Sequence, residues 1–213
     1  MEDKDILTSG TTTVAVVCKD GIVLAADKRA TSGYLIAHKK FEKIVPITDN
    51  IVVTTAGVVS DVQLLIKLIR AELKLKSIRT GRPLYVKEAV NLLATFVYNN
   101  IRRLSMIPGV SHFIVGGKDS TGFYVYDIAA DGSLALIDDY VSSGSGSVMA
   151  YGVLEALYNK DIEVDEGIKL VFKAVNSAVQ RDIASGNGID VVTITKEGTK
   201  KAISREITYK LEI

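Results

Sequence analysis

The sequence predicts an α+β protein built as a four-layer αββα sandwich, with two β-sheets between two layers of helices. Three observations support this prediction. The predicted elements follow the order strands, two helices, strands, two helices, strands. The first two strands, residues 12–19 and 22–27, are apolar on both faces, which is typical of a sheet covered on each side. The first two helices have a short connection, so we expect them to pack antiparallel as one layer.

The predicted strands are short β-branched or apolar runs bounded by turn residues. Asp20 and Gly21 form a tight hairpin turn between the first two strands. Residues 28–38 are polar and contain Gly33, which is typical of a loop or an irregular hairpin. The predicted strands cover residues 12–19, 22–27, 43–47, 51–56, 113–116, 123–128, 134–140, 189–195 and 201–209.

Apolar residues at helical spacing predict four helices. The first begins at a capping box formed by residues 60–63 and is stopped by Gly81 and Pro83. A loop of small residues, 142–147, leads into the third helix, and the fourth carries acidic residues in its first turn. The helices after the first cover residues 86–104, 148–158 and 164–183.

The composition is that of an ordinary single globular domain and excludes several classes of protein. Of 213 residues, 47% are hydrophobic and 24% charged, which excludes disorder. The net charge of +1 argues against nucleic acid or an anionic membrane as the main partner. No apolar run approaches the ~20 residues of a membrane span. Residues 1–10 also lack the apolar core of a signal peptide, so we expect a cytoplasmic protein.

The sequence predicts neither a metal site nor a cofactor. It contains no G-x-S-x-G elbow, no H-E-x-x-H motif and no Walker P-loop. Cys18 is the only cysteine, so it cannot form an internal disulfide. Together with His38 and His112, it offers no zinc-ligand spacing. We expect both histidines to be partly exposed structural residues.

The Gly10–Thr11 junction, between a short charged lead-in and the first strand, is the sharpest chemical feature. If this bond is cut, Thr11 gains a free α-amino group beside its own hydroxyl. A hydroxyl is a poor nucleophile at neutral pH, and a nearby amine can serve as its base. A tail joined to the first strand of a sheet is the simpler interpretation, and the junction alone does not decide between the two.

Three polar clusters are candidates for a site around this junction. Asp27 ends a buried strand and Lys43 opens the next strand pair, so a contact between them would perturb the pKa of the lysine. The loop around Ser145 is also explained by a helix N-cap, and residues 180–186 by a helix C-terminus with Gly186 as its cap. Taken singly, each cluster is more often structural.

The Gly10–Thr11 junction and the three polar clusters follow one another in the order of the motifs of proteasome β subunits. In these motifs, the chain resembles an archaeal-type catalytic β subunit. The resemblance covers essentially all of residues 11–213. It implies an N-terminal nucleophile hydrolase fold, a threonine peptidase, and a propeptide of residues 1–10 that the chain removes itself. The segments that carry it are Thr11-Thr12-Thr13-Val14, Ala26-Asp27-Lys28-Arg29-Ala30-Thr31, Lys43, Ala56-Gly57, Gly144-Ser145-Gly146 and Arg181-Asp182-Ile183-Ala184-Ser185-Gly186.

The resemblance also implies roles for individual residues. Thr11 would be the nucleophile, Lys43 would assist proton transfer, Asp27 would fix Lys43, and the Gly57 N–H would bind the oxyanion. Three residues would position the new N-terminus: Ser145, Asp182 and Ser185. Five residues match positions that line the substrate pocket: Ala30, Thr31, Val45, Thr55 and Val59.

The implied partners are those of a compartmental protease. They are proteasome α subunits, other β subunits in heptameric rings (α7β7β7α7), an ATP-dependent unfoldase, and unfolded protein substrates.

Two alternatives remain open. One is the bacterial ATP-dependent ring peptidase of the same superfamily, which is generally shorter, so residues 189–213 argue against it. The other is a non-catalytic ring subunit that never loses its leader, against which the intact catalytic set weighs.

Overall fold

A computed structural model describes residues 10–207 and confirms the four-layer sandwich. Most of the predicted leader and the end of the last predicted strand lie outside the described residues. The strands are β1 (Thr13–Cys18), β2 (Gly21–Asp27), β3 (Ala30–Ser32), β4 (Leu35–His38), β5 (Ile44–Thr48), β6 (Ile51–Gly57), β7 (Ser111–Asp119), β8 (Gly122–Ile128), β9 (Leu134–Ile137), β10 (Tyr140–Ser143), β11 (Gly188–Thr195) and β12 (Gly198–Glu206). The helices are α1 (Val59–Thr80), α2 (Val86–Ile101), α3 (Ser147–Leu157) and α4 (Val164–Val179).

The strands form two antiparallel five-stranded sheets. The first has the order β10-β1-β2-β11-β12, and the second the order β5-β6-β7-β8-β9. The predicted irregular hairpin between the two strand pairs is the separate two-stranded sheet β3-β4, whose pairing shifts register after Ala30. None of the helices within residues 10–207 has both the length and the apolar character that a membrane span requires.

Three apolar layers hold the sandwich together. Leu24 of β2 and Ile114 of β7 meet in the layer between the two sheets. Val23, the neighbour of Leu24, points to the opposite face and packs in the layer under α3 and α4. The third layer lies between the second sheet and α1 and α2. Successive side chains of a strand point to opposite faces, so the unbroken apolar run of residues 22–26 in β2 reflects the fact that both faces of this strand are covered.

The capping box predicted at residues 60–63 is wrong. Strand β6 continues almost directly into α1, so Val58 is the N-cap residue and provides no capping side chain. Asp61 accepts a hydrogen bond from Asn100 Nδ2 of α2 at 3.1 Å instead. Side-chain capping occurs at α2, where Glu88 accepts the Tyr85 backbone N–H at 3.1 Å.

The single strand predicted over residues 134–140 is also wrong. β9 pairs with β8 in the second sheet, whereas β10 pairs with β1 in the first sheet. Asp138 and Asp139 carry the chain from one sheet to the other, and the Val17 N–H donates to the Asp139 carbonyl at 2.7 Å. The predicted small-residue loop therefore begins two residues later, because Ser142 and Ser143 belong to β10.

Candidate active site

Thr11 lies at one end of the sandwich, directly before β1. β2 ends at the same end of the molecule with Asp27, because β1 and β2 are antiparallel neighbours. The Thr11 side chain is buried. The tight hairpin at residues 20–21 thus brings together two residues that are sixteen positions apart in the sequence.

Three groups contact the Gly10–Thr11 peptide bond. The Thr11 hydroxyl donates to the Gly10 carbonyl at 2.8 Å, and Lys43 Nζ donates to the same oxygen at 3.3 Å. The Thr11 N–H donates to Ser145 Oγ at 3.2 Å. Gly10 is tightly enclosed, since a Cβ at this position would overlap the Ala184 side chain. This peptide bond therefore lies within reach of both a hydroxyl nucleophile and an amine.

Lys43 and Asp27 form a buried ion pair with Nζ and Oδ1 2.6 Å apart. Lys43 precedes β5, and its backbone is fixed by the Thr55 N–H, which donates to its carbonyl at 2.9 Å. The Asp27 carboxylate also accepts three backbone N–H groups at 2.9 Å, from Thr12, Arg29 and Gly186. Such a network fixes the carboxylate, and the carboxylate in turn fixes the lysine amine beside Gly10.

Burial lowers the pKa of Lys43, because the charged amine loses its hydration. The neighbouring Asp27 carboxylate opposes this effect but does not reverse it. Lys43 can therefore release or accept a proton closer to neutral pH than an exposed lysine can.

A second hydrogen-bonded network links Ser145, Asp182 and Ser185. Both serine hydroxyls donate to Asp182 Oδ2, at 2.7 Å from Ser145 and 2.6 Å from Ser185. Because its proton is directed to Asp182, the Ser145 oxygen is free to accept the Thr11 N–H. The network reaches Thr12, whose hydroxyl lies 2.7 Å from Ser185 Oγ. Sequence reasoning missed Thr12, although the threonine run at the start of β1 was a signal for it.

Gly57 is the last residue of β6 and has a positive φ of 112°. A side chain here would be strained and would collide with the Val110 carbonyl, 2.3 Å from the position of a Cβ. Gly57 borders the same small pocket as Thr11 and Lys43.

This pocket beside Thr11 includes two of the five predicted substrate-binding residues, Thr55 and Val59. Besides Thr11, Lys43 and Gly57, the lining contains Phe41, Ala56 and Val62, which sequence reasoning did not predict as pocket residues. Val62 lies one helical turn after Val59, so the predicted start of α1 was a signal for it. Phe41 belongs to an irregular segment without a periodic pattern.

The other three predicted substrate-binding residues lie outside this pocket lining. Val45 packs against the core under α1 and α2, and Ala30 is buried at the start of β3. Thr31 contacts the leader instead, because its hydroxyl accepts the Gly10 N–H at 3.0 Å.

Comparison with known proteins identifies the family. The family model for proteasome subunits matches residues 7–194, most of the chain. The chain belongs to the proteasome subunit family. A relative from Ferroglobus placidus, named proteasome subunit beta, is 46% identical over 208 residues, covering 98% of this chain and 97% of the relative. Relatives with the same name from Archaeoglobus profundus and Methanocaldococcus vulcanius are 44% and 42% identical over 97% and 95% of this chain, and over 94% and 89% of their own lengths.

The resemblance to proteasome β subunits that the motifs predict is thus confirmed. It extends over nearly the whole chain, which argues against the shorter bacterial ring peptidase. As a proteasome subunit, the chain works within a protease complex together with other subunits.

The histidines and the cysteine have structural surroundings in this proteasome subunit. His112 Nε2 lies 2.6 Å from Asp127 Oδ1, and His38 is exposed on β4. Cys18 is buried, and burial together with the Asp20 carboxylate raises the pKa of its thiol to about 12. Among residues 10–207, no group of three or more metal-binding side chains occurs.

Proposed function

We propose that this chain is a catalytic β subunit of the proteasome core particle and acts as a threonine endopeptidase. Residues 1–10 would be a propeptide and residues 11–213 the peptidase domain. The observation that carries the proposal is the convergence of the Thr11 hydroxyl and the Lys43 amine on the Gly10 carbonyl. Such an arrangement has the parts needed for intramolecular cleavage at this bond.

Propeptide removal begins with Thr11 Oγ attacking the Gly10 carbonyl carbon. The Oγ–C bond forms while the hydroxyl proton passes to Lys43 in its uncharged form, which is more accessible than in an exposed lysine because burial lowers the pKa of this amine. The C–N bond then breaks, the Thr11 nitrogen takes up the proton held by Lys43, and residues 1–10 remain attached to Thr11 Oγ as an ester. Water hydrolyses the ester to leave the Gly10 carboxylate, the Thr11 hydroxyl and a free Thr11 amine.

The same residues then hydrolyse substrates. Thr11 Oγ attacks a peptide carbonyl, and the new α-amine, with an ordinary pKa of about 7.7–8.0, accepts its proton. The C–N bond of the substrate breaks as this proton passes to the leaving nitrogen, and water then hydrolyses the ester and restores the Thr11 hydroxyl. Lys43, fixed by Asp27, keeps the local potential positive. Ser145, with Asp182 and Ser185 behind it, positions the amine. The Gly57 N–H stabilises the oxyanion, a contribution whose loss typically costs ~10²–10³ in rate.

The pocket beside Thr11 favours an uncharged residue before the cut. Phe41, Val59 and Val62 provide apolar surface, and Thr55 adds one hydroxyl. Among the described residues that line the pocket, Lys43 alone is charged, and its amine is paired with Asp27.

A peptidase that requires only an uncharged residue before the cut would cleave many proteins unless its active site were enclosed. The proposed enclosure is a barrel of two β rings closed by α-subunit rings. Seven copies of this chain would form each β ring. Substrates would be unfolded proteins of the cytoplasm, delivered by an ATP-dependent unfoldase.

The decisive experiment is the mass of the assembled chain. Wild type should lose residues 1–10 and cleave a fluorogenic peptide, whereas Thr11→Ala should retain the leader and have no activity. Thr95→Ala, at an exposed position on α2, is the matched control and should behave as wild type. Assembled wild-type chain that keeps residues 1–10 would contradict the proposal and favour a non-catalytic subunit.

A further inference from the structure

Thr12 belongs to both hydrogen-bonded networks of the candidate active site. Its backbone is tied to Asp27, because the Thr12 N–H donates to Asp27 Oδ1 at 2.9 Å and the Thr12 carbonyl accepts the Asp27 N–H at 3.1 Å. Its hydroxyl lies 2.7 Å from Ser185 Oγ, and both residues are buried. The buried ion pair and the serine–aspartate network therefore meet at the residue that directly follows the proposed nucleophile.

The direction of the hydrogen bond between Thr12 and Ser185 is set by Asp182. An ionised carboxylate only accepts hydrogen bonds, so the Ser185 proton points to Asp182 Oδ2, 2.6 Å away. The Ser185 oxygen is then an acceptor, and the Thr12 hydroxyl is the donor. The backbone of Gly146 packs directly against this hydroxyl, since a Cβ at residue 146 would collide with Thr12 Oγ1.

These hydrogen bonds form a ring that starts and ends at neighbouring residues. Thr12 donates to Ser185, which donates to Asp182. Ser145 is the second donor to Asp182 Oδ2, at 2.7 Å, and it accepts the Thr11 N–H at 3.2 Å. The peptide bond between Thr11 and Thr12 closes the ring. The position of the Thr11 nitrogen is therefore linked to the Thr12 hydroxyl through three side chains.

We propose that Thr12 is a positioning residue of the peptidase reaction, an inference that rests on the proposed function. By holding Ser185, the Thr12 hydroxyl keeps Asp182 aligned as the acceptor for Ser145. Ser145 presents its oxygen to the new α-amine while its own proton is directed to this carboxylate. With one N–H of the amine held there, the nitrogen lone pair can face the Thr11 hydroxyl, whose proton it accepts.

Thr13 provides a matched control one residue further along the chain. Its hydroxyl is also buried, but the described residues offer it no hydrogen-bond partner. Valine has the branched shape of threonine and lacks the hydroxyl. The same change to valine therefore removes a hydrogen bond at Thr12 and none at Thr13.

The test measures hydrolysis of a fluorogenic peptide by the assembled full chain, with kcat expressed per processed chain from its intact mass. Thr12→Val should lower kcat about 10-fold, the effect of one buried hydrogen bond. KM should change little, because Thr12 is not among the described residues that line the substrate pocket. Thr12→Ser keeps the donor and should restore the wild-type kcat, and Thr13→Val should also match wild type.

A double variant tests whether Thr12 acts through Ser185. Ser185→Ala removes the acceptor, so adding Thr12→Val to it should lower kcat no further. If Thr12→Val fails to assemble, Thr12→Ala replaces it, because the smaller side chain cannot clash.

Four outcomes would overturn the inference alone while the wild type is processed and active. They are a wild-type kcat in Thr12→Val, an effect on KM only, a serine variant as slow as the valine variant, and an additional loss in the double variant. A wild-type chain that keeps residues 1–10 and is inactive would overturn the proposed function, and this inference with it.

Discussion

Lys43 is the residue on which the proposed chemistry depends most, because its amine joins the Asp27 carboxylate to the Gly10 carbonyl. We expect Lys43→Ala to abolish both leader removal and peptide turnover. Lys43→Arg should reduce them at least ~10²-fold, because arginine stays charged and cannot readily exchange a proton. Peptide turnover and intact mass are the measurements. An arginine variant with normal rates would show that Lys43 supplies only a fixed charge.

Thr31 should assist leader removal by holding the scissile segment through the Gly10 N–H. Thr31→Val keeps the shape but removes the acceptor, so we expect the leader to be lost ~5- to 10-fold more slowly, the usual effect of one hydrogen bond. Thr31→Ser retains the hydroxyl and should process near the normal rate. A mass time course after assembly measures both. If Thr31→Ser lost the leader as slowly as Thr31→Val, the effect of Thr31 on leader removal would come from its methyl group rather than its hydroxyl.

Single residues were predictable from the sequence where the chemistry needs a particular functional group. The motif resemblance named Thr11, Lys43 and Asp27, and the structure brings these three together. The residues that sequence reasoning missed act through position rather than type. Phe41 reaches the pocket from an irregular segment, and the contact of Thr12 with Ser185 depends on how the first strand meets the end of α4.

At the scale of elements, α4 lies close to β1 and β2 because Gly167 carries no side chain. A Cβ there would be 2.7 Å from Cys18 Sγ and 3.1 Å from a Val23 methyl group. We expect Gly167→Ala to lower the free energy of unfolding by ~1–3 kcal/mol, although alanine favours helices. Denaturant unfolding is the measurement.

Gly152→Ala in α3 is the matched control for this prediction. A Cβ at Gly152 meets no atom within 4 Å, so alanine should raise the free energy of unfolding by about 0.5–1 kcal/mol. A stabilising Gly167→Ala would mean that α4 can move off the sheet without cost.

The order and type of the elements could be predicted because apolar periodicity records which faces are buried. Two features could not. Residues 134–140 form one continuous apolar pattern, yet the chain passes from the second sheet to the first at Asp138. Tertiary packing decides which sheet a strand joins, so the local sequence pattern does not predict this change. The capping motif predicted at residues 60–63 is not formed because the β6–α1 connection places the N-cap at Val58, two residues before Ser60.

At the scale of the whole molecule, the position of helix α1 explains why activity should depend on assembly. The first turns of α1 form part of the pocket beside Thr11, and only Val58 separates Gly57 from the helix. An isolated chain leaves Leu68 and other apolar side chains of α1 exposed, so the helix that follows Gly57 lacks the support of a neighbouring subunit. We therefore expect leader removal and turnover only in assembled complexes.

Native mass spectrometry of this chain co-expressed with an α subunit tests that expectation. The assembled fraction should contain four stacked seven-membered rings, with the β chains shortened by residues 1–10. A mass time course should show full-length chain in monomers and half-assembled species. The Leu68→Glu variant should delay both ring assembly and leader loss, whereas Leu157→Glu, at a similarly exposed position on α3, serves as the control. Processed, active chain in a monomer or dimer would contradict the prediction, because the site would then be complete without enclosure.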